Sequence, residues 1–157
     1  MEGLRGRCGG AILASGSKAK VRACTITGNR ANVGGGVCVM DSSELALTDC
    51  TLTANEANEG GGIAVLYAAP VLSGCTISGN RSLTAPRQDW MLDGDGGGVF
   101  LRGIMGPPDL KTTTILGCTI ADNRADDNGG GIFAKYNIGL TLTDATVAPE
   151  RRASRTA

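Results

Sequence analysis

The 157-residue chain contains no histidine. That excludes triads built on an imidazole base and zinc sites that use imidazole ligands. Aromatic residues are almost as scarce: one Trp, two Tyr and two Phe, too few for a core of large rings. Fifteen basic and fifteen acidic residues cancel, so no net field draws the chain to nucleic acid or to an anionic membrane. No hydrophobic run approaches the roughly 18 residues of a membrane-spanning helix. The first residues, MEGLRGRCGGAILASG, hold only a short apolar patch, and no signal peptide is visible there.

Glycine, by contrast, is abundant. The 25 glycines far exceed the usual share of about 7%, and they cluster. Clusters begin at Gly9, Gly34, Gly60, Gly96 and Gly129, at intervals of 25, 26, 36 and 33 residues. A β-branched residue follows each: Ile12, Val37, Ile63, Val99 and Ile132. The unit is thus about 25 residues, with insertions at 81–95 and 102–111. The length suits one continuous domain over 1–157 rather than two.

Within each unit apolar residues alternate, the period-two pattern of strands. Equivalent positions read down as ladders: Val21, Leu47, Leu72, Ile115 and Leu142; Cys24, Cys50, Cys75, Cys118 and Ala145; Ile26, Leu52, Ile77, Ile120 and Val147. A further ladder holds Asn29, Asn55, Asn80 and Asn123, and ends on Glu150. Like residues at one repeat distance describe a solenoid of parallel strands, each coil about 4.8 Å above the last. The asparagines belong at a corner, where this residue tolerates left-handed backbone and can bond its amide to the next in the stack.

The glycine clusters GGAI, GGGV, GGGI, GGGV and GGGI, with ITGN at 26–29, LTAN at 52–55, ISGN at 77–80 and IADN at 120–123, resemble the polymorphic outer membrane protein repeat and the wider pectin-lyase-like group. The resemblance covers about residues 9–147. It departs in using Ile or Leu where Phe is usual, and in the last unit, which has lost its asparagine. It implies an all-β, right-handed parallel β-helix of about five coils and an extracellular or cell-surface location. Function does not follow, because this scaffold hosts lyases, hydrolases and adhesins alike.

Four cysteines stack in the apolar ladder, where a free thiol packs as a small hydrophobe; Cys8 and Cys38 lie outside it, and Cys38 is expected to point outward from its strand. Thr25 and Thr27, Thr51 and Thr53, then Thr76 and Ser78 form outward rows that resemble the flat face of β-helical ice-binding proteins. The second column then turns to Ala121 and Ala148. The two insertions flank the strand around Phe100, whose neighbour on the next coil is Phe133. Loops on a rigid scaffold are where binding usually resides. Trp90, Phe100, Phe133 and Tyr136 offer flat faces to a sugar ring, and Arg87, Arg102 and Lys135 offer cations to carboxylates; solvated decoration explains the same residues equally well. Asp93 and Asp95 have the form of a calcium turn, but Ca²⁺ wants about six to eight oxygen ligands, and no other cofactor is indicated. Asp126 and Asp127 are read as turn residues rather than a glycosidase pair.

Three readings follow: a non-catalytic, adhesin-like interaction module that takes polysaccharide or another protein; a polysaccharide lyase-like enzyme or degenerate relative, which needs acids to converge with Lys135 or Arg102; and an ice-binding protein. Nucleic acid is not an expected partner. A stack this short has open edges, so another copy or further coils of a longer solenoid would complete it.

Overall fold

A computed structural model describes residues 8–84, 94–104 and 111–148, and the backbone of 151–152. Every coil passes through up to four short strands, which stack into four parallel sheets. The first sheet holds Ile12–Ser15, Val37–Met40, Ile63–Leu66, Val99–Arg102 and Ile132–Lys135. In the second are Lys18–Arg22, Glu44–Thr48, Val71–Ser73, Thr112–Leu116 and Gly139–Thr143. The third stacks Thr25–Thr27, Thr51–Thr53, Thr76–Ser78, Thr119–Ala121 and Thr146–Val147. The fourth is made of two-residue strands, Glu56–Ala57, Arg81–Ser82, Arg124–Ala125 and Arg151–Arg152. Five strands in each of the first three sheets make five coils.

The register matches the ladders read from the sequence. Ile26, Leu52, Ile77, Ile120 and Val147 lie one above another, as do Val21, Leu47, Leu72, Ile115 and Leu142. In the middle coils these side chains are 0–1% exposed and form one core with Val37, Ile63 and Val99. The outer coils leave it partly open: Leu142 and Val147 on the last coil are 45% and 43% exposed.

Glycine is required at the turn into the first sheet. Gly34, Gly60, Gly96 and Gly129 have φ of +62° to +67°, which side chains rarely adopt. A Cβ on Gly62 would lie 2.7 Å from the Gly98 carbonyl oxygen of the next coil, so the stacked backbones leave no room for one.

The asparagine ladder runs down the corner between the third and fourth sheets. Each Nδ2 of Asn29, Asn55 and Asn80 donates to the Oδ1 of the next asparagine at 3.0 Å, and each backbone N–H donates to the same oxygen at 3.0 Å. The second amide hydrogens of Asn55, Asn80 and Asn123 go to the carbonyls of Ile26, Leu52 and Ile77. These three side chains are buried with their polar atoms paired. The left-handed residue at this corner is the one before the asparagine, however: Gly28, Ala54, Gly79 and Asp122, with φ between +53° and +68°. Asparagine is there for its amide, not for its backbone. Glu150 lies outside the described residues.

The cysteine ladder is partly inward. Cys50, Cys75 and Cys118 are each 1% exposed, whereas Cys24, on the first coil, is exposed; no disulfide joins any of the six cysteines. Cys38 does point away from the main core, but it is not on the surface. It is 0% exposed, within a second apolar layer of Cys8, Val33, Met40, Ala64, Leu66 and Phe100.

Candidate functional site

Between the fourth and first sheets, the residue just before each glycine cluster stacks on its neighbours in the column Cys8, Val33, Glu59, Asp95 and Asn128. This column faces the outer side of the first sheet, whose outward positions include Phe100, Phe133, Arg102 and Lys135. Two acids and two cations therefore meet. Lys135 Nζ lies 3.4 Å from Glu59 Oε1 and 3.4 Å from Asp95 Oδ2, and Arg102 Nη1 lies 3.6 Å from Glu59 Oε2. Asp95 Oδ1 accepts from the backbone N–H and the side-chain amide of Asn128, both at 3.1 Å.

The acids are deep and the cations reach the rim. Glu59 is 0% and Asp95 2% exposed, while the Arg102 and Lys135 side chains are about one-sixth exposed. Burial pushes the Glu59 carboxyl above its ordinary range, and Arg102 and Lys135 pull it back. The Lys135 ammonium also stands over three rings, 5.1 Å from the Phe100 centroid, 5.7 Å from Phe133 and 5.9 Å from Tyr136. The Phe100 and Phe133 rings stack 6.2 Å apart at 21°. Such contacts hold a cation by the ring quadrupole and fix Lys135 between its two carboxylates.

The sequence-derived residues divide as follows. Arg102, Lys135, Phe100, Phe133, Tyr136 and Asp95 are brought together. Trp90, Arg87 and Asp93 lie outside the described residues, as does most of both insertions. Phe100 is 0% exposed and offers no face to a ligand: the ring that alternation turned outward is sealed in the second apolar layer. Phe133 is half-buried and Tyr136 is 48% exposed. Asp95 is engaged by Lys135 and Asn128, and among the described residues no group of three His, Cys, Asp or Glu is arranged to hold a metal ion. The feet of the first insertion are tied, with Ser82 Oγ donating to the Gly94 carbonyl at 2.8 Å.

Glu59 and Asn128 were not anticipated. The signal was present: reading down the position before the glycines puts Glu59 directly above Asp95. The same column places Cys8 beside Cys38. The Cys8 thiol is held below its ordinary value, chiefly by a hydrogen bond from Cys38 that outweighs the opposing effect of burial, while the donor Cys38 is pushed up.

Elsewhere, the threonines of the third sheet form an unbroken column, Thr25, Thr51, Thr76, Thr119 and Thr146. Thr53 Oγ1 donates to Thr27 Oγ1 at 3.2 Å in the adjoining column. A shallow groove of about 500 Å³ runs over the second sheet between Lys18, Lys20, Glu44, Ala69 and Val71. No helix among the described residues is long and apolar enough to cross a membrane.

Four parallel sheets wound into stacked coils, with side-chain ladders along the axis, define a parallel β-helix protein. The family described as the right-handed beta helix region matches residues 6–149, and the chain belongs to that family. No curated protein and no solved structure matches it.

Proposed function

We propose that the chain is a non-catalytic, adhesin-like interaction module, working outside the cell or at its surface, that binds polysaccharide beside Phe133, Lys135 and Tyr136. The observation that carries this reading is the state of the acids. Glu59 and Asp95 converge with Lys135 and Arg102, as a lyase-like enzyme would need. Both carboxylates are nonetheless buried and spent on those cations and on Asn128. What reaches solvent is the ring of Tyr136, 48% exposed, beside the half-buried Phe133, a flat apolar face that suits a sugar ring.

The test is a titration with uronate-rich and neutral oligosaccharides, with and without calcium, followed by protein fluorescence and by absorbance of unsaturated products. Saturable binding without product is expected. Tyr136→Ala should weaken it about tenfold, the loss of roughly one good aromatic contact. Product formation would establish the lyase-like alternative instead, and binding unchanged in the Tyr136 variant would move the site elsewhere. Fractionation of the source cells tests the location.

The unbroken threonine column favours a second reading, adsorption to ice. Thermal hysteresis that disappears in Thr76→Lys would support it; freezing behaviour matching an inert protein would exclude it. The exposed Leu142 and Val147 suit a further coil, from a longer solenoid or another copy. Sedimentation velocity over a concentration series distinguishes self-stacking, which grows with concentration, from a chain that stays monomeric.

A further inference from the structure

The thiol pair on the outer face is not used by the reading above. We propose that Cys8 and Cys38 are an oxidisable dithiol that closes to a disulfide on meeting a peroxide, stapling the first coil to the second. The geometry comes from the glycine turn. Gly34 folds the chain so tightly that a Cβ on it would lie 3.0 Å from Cys38 Cα, bringing Val33 back beside Cys38. Cys8 pairs with Val33 from the coil above, so Cys8 and Cys38 are diagonal neighbours, packed in one apolar cluster.

Diagonal placement matters because a disulfide needs a dihedral near ±90°. Cys75 and Cys118, one above the other in a single ladder, project along parallel Cα–Cβ bonds, and that dihedral is awkward for them. Cys8 and Cys38 belong to different columns and escape the constraint. Access differs too: Cys8 is 8% exposed, at the start of the described solenoid, whereas Cys75 and Cys118 are each 1% exposed and line the main core. The Cys38 hydrogen bond holds the Cys8 thiol below its ordinary value against the opposing effect of burial, and so favours the thiolate, the reactive form.

In the reaction the Cys8 thiolate attacks one oxygen of hydrogen peroxide. The O–O bond breaks, hydroxide leaves and is protonated to water, and Cys8 becomes a sulfenic acid. Cys38 then attacks the Cys8 sulfur, and the sulfenic oxygen leaves as a second water with the Cys38 proton. Two thiols are oxidised to one disulfide while one peroxide is reduced to two waters.

The experiment uses the full chain carrying Cys24→Ser, which removes the exposed thiol and with it chain-to-chain linkage. The folded protein is treated with hydrogen peroxide, remaining thiols are blocked, and unreduced peptides are mapped by mass spectrometry. The five remaining thiols should fall to three, with Cys8 joined to Cys38, and the oxidised chain should melt at a higher temperature. Adding Cys8→Ser should leave all remaining thiols free. No loss of thiols, a Cys75–Cys118 link, or Cys8 oxidised without a partner would each overturn the proposal. Because Cys8 is 8% exposed and Cys38 fully buried, Cys8→Ser keeps the test open even if Cys38→Ser does not fold.

Discussion

Replacing Lys135 with Met removes the ammonium between Glu59 and Asp95 while preserving most of the side chain's volume. Unit charges at 3.4 Å attract by about 5 kcal/mol per contact at an effective dielectric of about 20, before desolvation is counted. Stranding a buried partner has a measured cost of about 3–5 kcal/mol. Glu59 keeps Arg102 and Asp95 keeps Asn128, so the lower end applies, about 3 kcal/mol. For a chain of this size that is a fall in melting temperature of about 6–12 °C. The effect should depend on pH with a defined sign. Burial raises the Glu59 pKa from the ordinary 4.5, and losing Lys135 raises it further. A carboxyl with a raised folded-state pKa contributes stability that is fully present below the unfolded value and lost as pH rises through the folded one. The gap between variant and parent should therefore be widest near neutrality and close as pH falls toward 4.5. Melting curves by circular dichroism at several pH values measure it. A gap independent of pH, or no destabilisation at neutrality, would refute the buried-network account. The double variant Glu59→Gln with Lys135→Met should recover much of the loss, because no charge is then stranded at position 59.

Asn80→Ala should cost about 3 kcal/mol or more, because it strands the Asn55 amide and the Leu52 carbonyl in the interior. Asn29→Ala, at the half-buried first member of the described ladder, should cost about 1 kcal/mol; urea denaturation of both variants compares them, and equal losses would contradict the ladder. Ala54 occupies the left-handed position held by Gly28 and Gly79, so Ala54→Gly should be neutral or stabilising by up to about 1 kcal/mol. Gly62→Ala should be strongly destabilising, since its Cβ meets a backbone oxygen that cannot move independently of the next coil; thermal melts of the pair test both signs.

The fold was legible because every coil repeats the same constraints. The strand register, the inward ladders and the stacked amides follow from residues recurring at one period. The site was less legible, for reasons that can be named. Alternation alone turned Phe100 and Cys38 outward, and that was correct for direction, but it carries no information about a second apolar layer on that side. Lys135 and Arg102 were visible as cations and Asp95 as an acid, though as part of a calcium turn; Glu59 was missed because it lies 43 and 76 residues away from the two cations, in a column read only as the approach to a glycine. The left-handed corner was assigned to asparagine by its general tolerance, whereas hydrogen bonding to the next amide holds it in ordinary backbone and hands the turn to its predecessor.

The glycine turn has a consequence for how such a chain changes over generations. Each coil meets only the coils above and below, through the same backbone contacts. A gene segment encoding one coil can thus be duplicated or deleted at any corner and still find its complementary surfaces. The lineage can lengthen the rod in steps of about 4.8 Å without redesigning a joint. The span of the threonine row would then be inherited as a copy number.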